Sequence, residues 1–201
     1  MNGEKPVLAT DWDDVYYGFL ANYLSVYNRQ HGTDFRPQDV LDHDLARLFG
    51  KDPEYVEATV DDYHINHESV KDGLMDSVQI VLPILARKFD IDIITSRKSQ
   101  FRYRIENMVA EYIPGTIRDI YLRDSIEKYG GKGPLAKSLG AVALVDDHIT
   151  NILSAESSGV RGLLRNMPKN YHRPLTFERV NDWYDVYEKL TGEHFNPALR
   201  Q

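Results

Sequence analysis

The chain has 201 residues, a formal net charge of -7, no cysteine, and 42% hydrophobic against 27% charged residues. This suits one soluble domain with room for an insertion, and it excludes disulfides, thiolate catalysis and cysteine zinc sites. The acidic balance argues against nucleic-acid binding, which needs a basic face; no apolar run approaches the roughly 20 residues that span a bilayer, and Met1–Pro6 lacks a signal-peptide core, so a cytoplasmic location is expected.

The first apolar segment, "PVLAT" at residues 6–10, runs straight into Asp11, Asp13 and Asp14. Clustered acids at a strand end repel one another and resist desolvation, so something must compensate them. The interval from Tyr16 to Leu74 carries no strand pattern. Its Phe19, Leu20, Tyr23, Leu24 and Tyr27 recur at helical spacing, with breaks at "HGTDFRP" and "GKDPE". It reads as a small helical cap over 16–74, inserted after the first strand, with a core formed by 1–15 and 75–201.

Next comes "FDIDIIT", a second buried strand that ends at Thr95 and leads into Ser96 and Arg97. Phe101, Ile105, Met108, Val109 and Tyr112 share a helical face, "IRDIYL" reads as an edge strand, and "KGPLAKSLG" reads as a short helix closing at Gly140. The third strong strand, "AVALV", ends at Asp146 and Asp147, and "GVRGLL" reads as the other edge. Val180, Trp183, Tyr187 and Leu190 define a last helical face. Strands alternating with helices predict an α/β fold, a Rossmann-like three-layer parallel sheet, with ligands beyond the carboxyl ends of its strands.

All three strong strands thus end in chemically capable groups. Carboxylates from two strand ends meeting at one point make an oxygen-rich site suited to Mg2+, which would neutralise the cluster and hold a phosphate oxygen. Alternation along a strand predicts that one of Asp146 and Asp147 binds the metal directly, with Asp147 preferred.

The order Asp-x-Asp, Thr, Lys, Asp-Asp resembles the haloacid dehalogenase (HAD)-like phosphohydrolases over the whole chain. The resemblance implies that Asp11 is the nucleophile, forming an aspartyl-phosphate. Asp13 is then the general acid and base, with its backbone carbonyl on the metal. It also makes Thr95 a phosphate ligand, Lys132 the charge-compensating lysine, and Asp146 and Asp147 the acids that complete the metal set with Asp11 and Asp13. Lys128 and Lys137 compete with Lys132, which is favoured because it opens its helix toward the strand ends. Ser96 and Arg97 are expected substrate contacts, with a surface ion pair as the alternative for Arg97. Asn151 is either a partner of the acidic pair or a helix cap, and Asp14 reads as a turn residue.

Within that superfamily, "DWDDVYYGFLANY", "RNMPKNYH" and "RVNDWYDVYEKL" resemble the 5'-nucleotidases with a small helical cap, including the 5'(3')-deoxyribonucleotidases. Trp12 and Asp14 depart from their better-known members. The resemblance implies a small phosphorylated substrate, a nucleotide, with Phe19 either against the base or in the cap core. A homodimer stays open. Other readings are a phosphatase for a sugar phosphate or a polynucleotide end, a signalling receiver, a dehalogenase, and a silent phosphate-binding relative. The motif order disfavours the receiver, and Asp13 argues against the dehalogenase. His64 and His67, at i, i+3, could hold zinc or line the substrate pocket, but no third zinc ligand is evident.

Overall fold

A strand apolar on both faces must be covered on both, and the residues from Val7 to Thr10 are all buried. The computed structural model describes residues 4–41, 43–68, 73–75, 77–171 and 176–196. Its strands are β1 (Val7–Thr10), β2 (Asp90–Ile94), β3 (Ile117–Tyr121), β4 (Ala141–Asp146), β5 (Arg161–Arg165) and β6 (Arg179–Val180). They form one parallel sheet in the order β3-β2-β1-β4-β5-β6, with Leu8 in register with Ile91 on one side and Ala143 on the other. The order reverses between β1 and β4, the switch point where open parallel sheets bind ligands.

The helices are α1 (Phe19–His31), α2 (Leu45–Phe49), α3 (Pro53–Asp62), α4 (Val78–Leu85), α5 (Arg102–Tyr112), α6 (Arg123–Tyr129), α7 (Lys132–Ser138), α8 (Ile149–Ser157) and α9 (Trp183–Thr191). Leu8 points into a core with Val81 of α4, Ile105 of α5 and Val186 of α9. Ala9 points the other way, into a core with Leu135 of α7 and Ala155 of α8, packed against Ile126 of α6. Three layers result. Helices α7 and α8 approach so closely that a Cβ on Gly133 would lie 2.2 Å from the Ser154 carbonyl oxygen. That contact fixes the start of α7, and Lys132 with it.

Helices α1 to α3 and the π-helical turn Tyr63–His67 lie over the strand ends and have a hydrophobic cluster of their own, including Leu24, Tyr27, Val40 and Tyr63. Tyr27 stacks on Phe49, their ring centroids 3.9 Å apart. The chain leaves and re-enters the core side by side: Gly18 N donates to Gly73 O at 2.8 Å, and Met75 N to Tyr16 O at 3.0 Å. Gly73 suits this neck because any Cβ there would lie 1.6 Å from the Tyr17 ring.

Two sequence expectations fail. "GVRGLL" forms β5 but not an edge, because the two-residue β6 pairs outside it. Val180 belongs to β6 and not to the last helix, which starts at Trp183 after Asp182 caps it by accepting a bond from Asp185 N. Among the described residues no helix is long and apolar enough to cross a membrane.

Candidate active site

Asp11 continues the ladder of β1, its amide donating to Val145 O at 2.8 Å. Its Oδ1 accepts from Trp12 N at 2.7 Å and lies 2.8 Å from Lys132 Nζ. The same ammonium donates to Asp146 Oδ2 at 2.8 Å, so Lys132 bridges the ends of β1 and β4. Lys128 and Lys137 are exposed, which leaves Lys132 as the one of the three lysines that reaches the cluster. Asp146 also accepts from His148 N and from Asn151 Nδ2, whereas His148 caps α8; Asn151 is therefore a partner of the acid and not the cap. Asp147 lies just past the end of β4, where strand alternation no longer turns it away. Oxygens of Asp11, Asp146 and Asp147 all lie within 4.8 Å of one another.

Charge balance tests whether these residues suit a metal. Six carboxylates (Asp11, Asp13, Asp14, Glu68, Asp146 and Asp147) are touched by three cations (Lys132, Lys169 and Arg97), so the acids outnumber the cations that reach them. Burial pushes the Asp11 carboxyl well above its ordinary pKa, with Asp146, Asp147 and Asp13 adding to the rise and Lys132 opposing it. Burial disfavours the Lys132 and Lys169 ammoniums, but the carboxylates around them outweigh it and hold both pKa values up. Burial also works against an ionised Asp147, yet Lys169 and His43 bring its pKa below the ordinary value. An all-oxygen set in which acids outnumber cations fits a hard divalent cation such as Mg2+.

Thr95 is buried beside this cluster, and its Oγ1 accepts from Arg97 N at 3.3 Å. Arg97 is 4% exposed, which rules out a surface ion pair. Its Nε and Nη2 hold both oxygens of Asp13, and its Nη1 and Nη2 hold both oxygens of Glu68. Asp14, at φ 59°, is the expected turn residue: its Oδ1 accepts from Leu20 N.

Strand ends and helices enclose a cavity of about 260 Å3, the scale of one small ligand. Asp11, Thr95, Ser96 and Lys132 line one side, and Phe19, Val40, Leu45 and His64 the other. Phe19 opens α1 and stacks on both Tyr23 and His64, with centroids 5.5 and 5.4 Å away. It is at once cap core and cavity wall. His67 instead faces Gln30 and Asp62, so the two histidines do not converge on a zinc site.

Sequence reasoning missed Lys169 and Glu68. Lys169 is 6% exposed and pairs with Asp14 at 2.6 Å and Asp147 at 2.5 Å. The available signal was "MPKN", a turn that starts at Pro168, three residues past the end of β5. Glu68 offered none, since it follows an irregular helical turn.

A parallel sheet of this order, with carboxylates gathered at its switch point under a helical insert, defines a HAD-like hydrolase. The solved structures agree on the fold. A haloacid dehalogenase-like family hydrolase from Streptococcus pneumoniae is 12% identical with a TM-score of 0.64, over 95% of this chain and 100% of that one. A subfamily IA HAD hydrolase from Geobacter sulfurreducens is 16% identical with a TM-score of 0.60, over 94% and 98%. A 2-haloacid dehalogenase from Pseudomonas syringae is 14% identical with a TM-score of 0.54, over 94% and 99%. No curated protein matches the sequence. At family level the match spans residues 5–193, and the chain belongs to the family described as 5' nucleotidase, deoxy (pyrimidine), cytosolic type C (NT5C).

Proposed function

We propose that the chain is a Mg2+-dependent phosphomonoester hydrolase acting on nucleoside or deoxynucleoside 5'-monophosphates through an aspartyl-phosphate on Asp11. The observation that carries the reading is the convergence of Asp11, Asp146 and Asp147 within 4.8 Å, with Lys132 2.8 Å from two of them. Asp11, Asp146, Asp147 and the backbone carbonyl of Asp13 would hold Mg2+, which supplies charge compensation for a phosphate oxygen.

An Asp11 oxygen forms a bond to phosphorus as the ester P–O bond breaks, and the leaving oxygen takes a proton from Asp13 to depart as an alcohol. Water then attacks phosphorus, passes its proton to Asp13 and frees Asp11 and inorganic phosphate. Lys132 offsets the repulsion between the nucleophile and the dianion, while Thr95 and Ser96 receive phosphate oxygens. Arg97 acts at the same edge of the cavity. Phe19 offers a face for the base. In this reading 1–15 and 75–201 form the catalytic core and 16–74 the selective cap; the family description supports a cytoplasmic location and a small-molecule, not a polymeric, substrate.

The test is phosphate release from a panel of nucleoside and deoxynucleoside monophosphates, sugar phosphates and an aryl phosphate, with Mg2+ or EDTA. Hydrolysis that requires Mg2+, disappears in Asp11→Asn and favours nucleotides is expected. Activity confined to sugar or aryl phosphates would overturn the substrate assignment and leave the mechanism standing.

A further inference from the structure

We propose that Glu68 is a positioning residue, acting through Arg97 to fix the orientation of Asp13 at the cavity. This rests on the reading above, in which Asp13 moves the leaving-group proton. Asp13 is the most open of the strand-end acids, its side chain 23% exposed, and a short carboxylate there would be free to rotate. The Arg97 fork removes that freedom by engaging both Asp13 oxygens, at 2.6 and 2.9 Å for the shortest contacts.

Arg97 is itself held on its far side. Glu68 Oε1 accepts from Nη2 at 2.6 Å and Oε2 from Nη1 at 3.2 Å, with the Glu68 side chain fully buried. Between the two acids the guanidinium lies over the Tyr17 ring, 5.8 Å from its centroid. Glu68 in turn is tied to the substrate wall. Its amide donates to Tyr63 O at 2.9 Å, and its Oε2 lies 3.3 Å from Nδ1 of His64, the ring stacked on Phe19. A line of direct contacts therefore runs from the aromatic wall to the proton-transfer group: Phe19, His64, Glu68, Arg97, Asp13. The helical insert, which carries Glu68, thus contributes to the placing of Asp13 as well as to the substrate wall.

A purely structural ion pair would affect all substrates alike, whereas a device that aims a proton donor matters in the first step only where the leaving oxygen needs a proton; the second step, in which Asp13 takes a proton from water, is common to every ester. The experiment compares kcat/KM, which covers only the steps up to departure of the leaving group, on a nucleoside 5'-monophosphate, whose alkoxide needs a proton, and on p-nitrophenyl phosphate, whose leaving group departs unprotonated. Positioned proton transfer contributes about 10^2- to 10^4-fold, so Glu68→Gln is expected to lower kcat/KM on the nucleotide about 10- to 100-fold and to leave kcat/KM on the aryl ester within about threefold. Arg97→Lys, which keeps the charge but loses the fork, should lower kcat/KM on the nucleotide by at least as much as Glu68→Gln. Circular dichroism and the thermal transition check that each variant is folded; should Glu68→Gln not fold, Glu68→Asp decides the matter. Equal losses on both esters, or none on either, would overturn the proposal. Asp13→Asn separates it from the reading beneath: if that variant shows no leaving-group dependence, the role of Asp13 fails and the positioning role falls with it.

Discussion

Replacing Lys169 by Met should destabilise the metal-free protein more than any surface lysine change could. The ammonium is buried and holds Asp14 and Asp147 at 2.6 and 2.5 Å, with both acids also buried. Two charged hydrogen bonds at about 1.5 to 3 kcal/mol each give about 3 to 6 kcal/mol. Breaking a buried pair by removing one partner independently costs about 3 to 5 kcal/mol. For a chain of this size each kcal/mol moves Tm by about 2 to 4 °C, so a fall of about 6 to 20 °C is expected in EDTA. Differential scanning calorimetry of Lys169→Met beside Lys137→Met, whose lysine is exposed, measures it. Adding Mg2+ should recover part of the loss, because the cation then supplies charge to Asp147. A Lys169→Met transition within about 2 °C of wild type in EDTA would refute the assignment of Lys169 as the counter-charge of this pair.

Mg2+ affinity should weaken as pH falls. Burial raises the Asp11 pKa in the metal-free protein, so a proton competes with the cation from a higher pH than for an ordinary carboxylate. Isothermal titration calorimetry across the neutral to mildly acidic range should show weaker binding and more protons released at the lower pH. Truncating the cavity wall with Phe19→Ala should raise KM for nucleoside monophosphates about 5- to 150-fold, the equivalent of about 1 to 3 kcal/mol of stacking, while KM for a small non-aromatic phosphate ester stays put.

How far the sequence disclosed this molecule depends on the range of the contact. Strands β1, β2 and β4 were legible because a fully buried parallel strand is a short unbroken apolar run. Their ends were legible because Asp11, Thr95 and Asp146 interrupt those runs with groups that cannot belong to the core. Strand β6 was not, since two residues carry no period, and that one omission turned β5 into an edge and drew Val180 into the last helix. The cap capable of ending that error was present, as Asp182 sits immediately before Trp183. Lys132 could be picked from its position at a helix start, a local property. Lys169 and Glu68 act through partners up to 155 residues away, and neither periodicity nor spacing encodes such a meeting. For the same reason the two faces of Arg97 were invisible until the insert was folded over the sheet.

The neck at Tyr16–Gly18 and Gly73–Met75 has an architectural consequence. Because the outgoing and returning segments are hydrogen-bonded neighbours, the sheet meets the whole helical insert as if it were a single turn. The entropic cost of closing a longer excursion between two fixed points grows only with the logarithm of its length. Inserts of different size and shape can therefore be grafted at this point with little strain on the strands, the core keeping its chemistry while the graft brings its own walls and, through a residue placed like Glu68, its own grip on the reacting groups.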